Sequence, residues 1–118
     1  MKMNENNAGL AAEKLAATFL ANQGLKLVMQ NYHCRFGEID LIMTDARTLV
    51  FIEVRLRSNK QFGSAAASIT LQKQQKLILT AQHYLQQHGD KRACRFDVLL
   101  MDKVELSAVT WLKNALEA

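Results

Sequence analysis

Apolar and polar positions change period along this chain, and each change marks an element. Over residues 8–23, Ala12, Leu15, Ala16 and Phe19 recur at helical spacing in an alanine-dense stretch, which predicts a first helix. Asn6 or Asn7 can cap its start, and Gly24 stands where a left-handed residue ends a helix. Residues 1–7 are polar and predict a frayed end. Residues 25–30 alternate only loosely, with Leu25, Leu27, Val28 and Met29 suiting a first strand. Residues 31–35 read as a polar connection in which Tyr32, His33 and Arg35 can touch a ligand. A lone loop histidine is more often an ordinary surface residue.

Two strands follow, over 36–43 and 48–56, joined by a turn at 44–47 short enough for a hairpin. Alternation puts Phe36, Glu38, Asp40 and Ile42 on one face of the second strand, with Ile39, Leu41 and Met43 on the other. On the third strand Val50, Ile52, Val54 and Leu56 share one face and Leu49, Phe51, Glu53, Arg55 and Arg57 the opposite one. Each strand is apolar on one face and mixed on the other, the pattern of a sheet covered on both sides.

The small polar stretch 58–68 predicts a loop or short helical turn. Thr70 caps a second helix over 71–88, whose inner stripe is Leu71, Gln74, Leu77, Ile78, Ala81, Tyr84 and Leu85. Lys73, Lys76, Thr80 and His83 lie on another face, either solvated or, for the lysines, in contact with phosphate. After Gly89 a fourth strand over 93–101 puts Phe96, Val98 and Leu100 opposite Arg95, Asp97, Leu99 and Met101. The tail predicts a short strand near 104–106 and a helical turn over 111–116. The order α-β-β-β-α-β gives an α/β domain with helices on the faces of a central mixed sheet.

Composition narrows this little. With 118 residues and no proline, the chain suits one domain without linkers. Its net charge of +4 points mildly toward an anionic partner such as nucleic acid. No apolar run reaches the roughly 20 residues that span a bilayer, and the polar N-terminus lacks a signal peptide's apolar stretch, so no membrane association and a cytoplasmic location are expected. Cys34 and Cys94 have no CxxC or CxxH spacing, which predicts reduced structural thiols rather than a zinc site.

The chemistry concentrates in the second and third strands, where the spacing is Asp-x12-Glu-x-Arg. Strand-borne carboxylates are costly to bury unpaired. Asp40 and Glu53 therefore admit three readings: ion pairs with Arg55, Arg57 or Arg95, a raised pKa, or a bound metal. Mg²⁺ suits a pair of acidic oxygens supplemented by water and phosphate. Glu13 on the first helix is either a solvated acid near the positive helix end or an acid aimed over the sheet.

The block Gly37-Glu38-Ile39-Asp40-Leu41-Ile42 followed by Val50-Phe51-Ile52-Glu53-Val54-Arg55 and Arg57 resembles the YraN family of bacterial proteins. Ala12-Glu13, Phe19-Leu20, Gly24 and Asn31 before it, and Phe62-Gly63, Ile69, Lys73, Ala81, Arg95-Phe96-Asp97-Val98 and Trp111 after it, extend the likeness over almost the whole chain. The family is placed with the restriction-endonuclease-like PD-(D/E)xK superfamily and is similar to archaeal Holliday-junction resolvases. The resemblance implies a restriction-endonuclease-like core and a metal-dependent nuclease that hydrolyses DNA phosphodiester bonds, at branched or single-stranded DNA. It implies Asp40 and Glu53 as ligands of Mg²⁺ or Mn²⁺, with the backbone carbonyl of Val54 as a third ligand and Glu38 as an outer one. Glu13 would approach the metal or its water. Arg55, Arg57, Lys60, Lys73 and Lys76 would contact the nucleic-acid backbone, while Asp97 pairs with Arg95. Resolvase-like relatives act as two-fold dimers, so a homodimer is compatible, although the sequence leaves the oligomeric state open.

One departure stands out. The superfamily motif usually ends in lysine, and here Arg55 occupies that position. Arginine stays charged and cannot be a general base, but its fork can hold a phosphate bidentately. Two alternatives to a nuclease therefore stay open: a nucleic-acid-binding protein with the nuclease fold and little or no cleavage, and a protein-interaction module whose acids only pair with arginines.

Overall fold

The computed structural model describes residues 3–56 and 69–116. Helix α1 (Met3–Asn22) leads into three strands, β1 (Lys26–Cys34), β2 (Gly37–Asp45) and β3 (Thr48–Leu56). Helix α2 (Leu71–His88) then crosses to β4 (Cys94–Met101), and a short 3-10 turn at Leu106–Ala108 introduces β5 (Val109–Leu116). The five strands form one mixed sheet in the order β1-β2-β3-β4-β5. The β3–β4 pair is parallel and the others antiparallel, as a helical crossover between β3 and β4 requires. The arrangement is α/β and compatible with a restriction-endonuclease-like core.

Two apolar layers sandwich the sheet. Ala12, Ala16 and Leu20 of α1 pack on Leu41, Met43, Val50, Ile52, Leu99 and Met101. Leu77, Ala81 and Tyr84 of α2 pack on Ile39, Ile42, Leu49, Phe51, Phe96, Val98 and Leu100. Alternation read from β3 and β4 predicts this division, because each central strand feeds both layers. On β2 it fails at one place. Ile39 joins Ile42 in the α2 layer instead of Leu41 and Met43 in the α1 layer. The break coincides with the end of the β2–β3 ladder, whose last pair is Leu41↔Ile52.

Helix ends follow local chemistry. Thr70 accepts a 3.1 Å hydrogen bond from the Lys73 amide, and Gly89 terminates α2 in the left-handed region at φ 58°. Leu71 departs from the expected stripe. It is 70% exposed in the first turn, and Ile69, just before the helix, takes the buried position instead. Thr80, expected on the polar face, is fully buried. Its hydroxyl donates to the Lys76 carbonyl at 2.7 Å and faces Gly37.

Three other segments differ from expectation. Helix α1 begins at Met3 rather than near residue 8, so it covers most of the stretch expected to be frayed. Strand β1 continues through the expected connection to Cys34, leaving only Arg35 and Phe36 as the turn. Its polarity reflects an edge position, and its loose alternation reflects a register shift between Leu27 and Met29. The tail forms no terminal helical turn. Val109, Thr110 and Trp111 are strand-favouring residues that pair with Met101, Leu100 and Leu99, and the strand near 104–106 is absent. The loop expected over 58–68, Arg57 and Lys60 lie outside the described residues.

Candidate functional site

Asp40 and Glu53 sit immediately beyond the last β2–β3 pair, where the two strands cease to be hydrogen-bonded. Their surroundings form a cleft of about 500 Å³ between the helices. Helix α1 contributes Glu13, β2 contributes Gly37, Glu38 and Asp40, β3 contributes Glu53, Val54 and Arg55, and α2 contributes Lys73 and Lys76. Every site residue expected within the described chain thus reaches one cleft.

The two central acids are buried, Asp40 at 9% and Glu53 at 8% exposure. Burial, then the charge of Glu53, pushes the Asp40 carboxyl up to about 8, while the Val54 amide opposes the rise through a 2.8 Å hydrogen bond to Oδ2. A hydrogen bond with the Glu53 side chain adds to the rise. Glu53 Oε2 lies 3.1 Å from Lys73 Nζ and 3.6 Å from Arg55 Nη1. Glu13 is half-buried, and its pKa is raised by burial against the opposing effect of a hydrogen bond with Asn31, with the charges of Glu38 and Glu53 adding to the rise. Glu38 lies at the exposed rim, 4.0 Å from His33 Nδ1.

Of the ion pairs considered for the central acids, the Arg55 pair with Glu53 is present. Arg95 is engaged elsewhere. Its guanidinium donates to Asp97 at 3.0 Å and to Asp45 at 3.1 Å. Asp97 also accepts from Trp111 Nε1 at 2.9 Å and from the Asn114 amide at 2.8 Å, so it anchors β5 to β4 and stands apart from the cleft's chemistry. Tyr32 of β1 and Arg35 of the following turn likewise contact protein groups. The Tyr32 hydroxyl is 2.5 Å from His83 Nδ1, and Arg35 lies 4.9 Å over the Phe36 ring. Sequence reasoning missed the direct pairing of Lys73 with Glu53, because nothing in strand alternation tells how far over the sheet a helix lysine reaches.

Among the described residues, no three His, Cys, Asp or Glu side chains are arranged to hold a metal ion as they stand. Asp40 and Glu53 nevertheless match a hard divalent cation in donor chemistry. Both offer buried carboxyl oxygens, and the burial and Glu53 charge that raise the Asp40 pKa are what a cation held between the two acids would offset. No described helix is long and apolar enough to cross a membrane.

The sequence model of the Uncharacterised protein family UPF0102 matches residues 12–101, a span that runs from the middle of α1 through β4 and includes α2 and the strands bearing the acids. The chain belongs to this family. A UPF0102 protein of Methylobacillus flagellatus is 52% identical over 107 residues, covering 91% of this chain and 94% of the relative. One from Psychromonas ingrahamii is 52% identical over 112 residues, covering 95% and 91%, and one from Legionella pneumophila strain Corby is 54% identical over 112 residues, covering 93% and 94%. The matched span covers the whole β2–β3 block and every residue lining the cleft except Gly9.

Proposed function

We propose that the cleft is a metal-dependent nuclease site that grips the phosphodiester backbone of DNA and hydrolyses it. The observation that carries this reading is the pairing of two buried carboxylates, Asp40 and Glu53, inside a cleft that also holds Arg55, Lys73 and Lys76. Acids alone would repel a polyanion; cations alone would bind it without a place for a metal. The combination suits a phosphate that arrives with a divalent cation between it and the acids.

In this reading Asp40 and Glu53 hold Mg²⁺ or Mn²⁺, with the Val54 carbonyl and Glu38 nearby as further oxygen donors. The bound cation supplies Lewis-acid polarisation of the phosphate and a more acidic water. Arg55 holds non-bridging phosphate oxygens and offsets charge that develops during displacement, a task its permanent charge suits. Lys73 and Lys76 neutralise the adjacent backbone, which gives salt-sensitive and sequence-independent binding. Glu13 keeps a half-buried carboxyl at the α1 wall of the cleft. The family likeness to the PD-(D/E)xK nucleases supports the same assignment.

A second reading, binding of nucleic acid without cleavage, is favoured by Arg55 where that superfamily usually has lysine. One experiment separates the two. Labelled linear, single-stranded and four-way-junction DNA is incubated with the protein in Mg²⁺, Mn²⁺ or EDTA, beside a folded Glu53→Ala variant. Cleavage that needs the metal and disappears in the variant supports the nuclease. Cleavage equal in the variant is a contaminant's and sinks the site assignment. Binding without cleavage selects the second reading, and loss of both at low salt leaves the structural ion-pair module.

A further inference from the structure

We propose that Lys73 is an exchangeable counter-ion. It neutralises Glu53 until a divalent cation takes that carboxylate, and its ammonium then turns to a substrate phosphate. This rests on the reading of the cleft as a metal site.

The geometry separates a fixed part from a movable part. Glu53 is buried and needs a compensating cation in the absence of any other. Lys73 provides it at 3.1 Å, closer than Arg55 at 3.6 Å, on the same oxygen Oε2. The Lys73 backbone is pinned, since its amide is bonded to Thr70 Oγ1 at 3.1 Å in the first turn of α2. Its side chain is not pinned in the same way. It is 42% exposed and ends on a flexible four-carbon stem. A swing of Nζ therefore requires no shift of the helix.

A divalent cation on the Asp40–Glu53 pair would stand within a few ångströms of Nζ if the lysine stayed in place. Like charges at that separation in a half-buried cleft repel strongly. The ammonium then has reason to move outward along the wall it shares with Lys76. The phosphate of a bound strand is the anion that would meet it there. A static salt bridge and an exchangeable one make opposite predictions. A static bridge orders Glu53 for the metal, so removing it weakens metal binding. An exchangeable one competes with the metal, so removing it strengthens metal binding while weakening the hold on DNA.

The test measures Mn²⁺ binding by calorimetry, without DNA, for the wild type, Lys73→Gln, Lys73→Met and Lys73→Arg. The Gln and Met variants are expected to bind Mn²⁺ about three- to tenfold more tightly, and the Arg variant to stay near wild type. Binding of a short DNA duplex is then measured in Ca²⁺ and in EDTA. The charge-removing variants are expected to lose affinity in Ca²⁺ and to change little in EDTA. Unchanged or weaker Mn²⁺ binding in Lys73→Gln and Lys73→Met overturns the exchange while leaving the metal site standing. Absence of Mn²⁺ binding in every folded protein overturns both. Thermal unfolding confirms folding, and Lys73→Met, which keeps the apolar stem, serves if the Gln variant is unstable.

Discussion

The amide of Val54 donates to Oδ2 of Asp40 at 2.8 Å, across the point where β2 and β3 stop pairing. A side chain here does what a strand partner does elsewhere in the sheet. The bond places the acid of one strand against the backbone of the other, and so sets Asp40 beside Glu53. It also ties the candidate chemistry to stability, which guides the choice of substitutions.

The Asp40 carboxyl, held near 8 by burial and by Glu53, should make the metal-free protein less stable as pH rises. The sign follows from the direction of the shift. The folded state keeps a proton that the unfolded chain releases near its ordinary value of 3.8, so this contribution is complete below that value and is lost as pH rises through about 8. A single group can contribute a slope of at most about 1.4 kcal/mol per pH unit. Urea unfolding in EDTA between pH 5 and 8 should show the decline. Asp40→Asn, whose amide oxygen can still accept from Val54, should flatten it. An unchanged slope in that variant would move the retained proton to another carboxyl of the cleft.

Asp97→Ala should destabilise the fold by about 3–5 kcal/mol, because it removes a buried charge and strands its donors. Arg95, Trp111 and the Asn114 amide all lose a partner at once. Chemical unfolding with Trp111 fluorescence as the probe measures the loss, and β5 should be the element that detaches first. A change under about 1 kcal/mol would show that the network is dispensable.

Gly37→Ala should cost about 1–3 kcal/mol, since Gly37 adopts φ 149° and an added Cβ would meet Thr80 Oγ1 at 3.3 Å. Combining it with Thr80→Ala removes the contact but not the backbone strain. The double variant should therefore recover only part of the loss, after correction for Thr80→Ala alone. Full recovery would assign the whole effect to the contact.

Arg55→Lys should weaken DNA binding in Ca²⁺ about three- to tenfold by removing a bidentate contact, while the charge is kept. Arg55→Ala should do the same and also make the dependence of log K on log[salt] shallower by about 0.9. Titrations at several salt concentrations distinguish the two. Equal slopes for wild type and Arg55→Ala would remove Arg55 from the phosphate path.

The sheet's central strands were legible because burial on both faces imposes a strict period, and β3 and β4 keep it. Thr70 and Gly89 were legible because caps depend on local chemistry alone. The edges were not. Tyr32 and His33 look like loop residues because an edge strand need not be apolar, and Trp111 looks helical until its indole finds Asp97 across the sheet. Within the candidate site, alternation located Glu53 on β3 but misassigned Ile39 on β2, since it cannot foresee where a ladder ends. The family block GEIDLI…FIEVR pointed to the same acids by a different route, and UPF0102 membership covers it. Lys73 was visible as a cation on the right helix, and only the packing of α2 over the sheet revealed which acid it meets.

The end of the β2–β3 ladder has a mechanical meaning. Beyond Leu41↔Ile52, β3 stays bonded to β4 through Leu56↔Met101, so Glu53 and Arg55 ride on a stiff rail. Asp40 rides on the end of β2 that runs past the ladder, tied to the rail there by the Val54 amide bond to its carboxyl. A ligand that grips both acids clamps that end to the rail, and the clamp should register as slower exchange of the Val54 amide while the outline of the molecule stays the same.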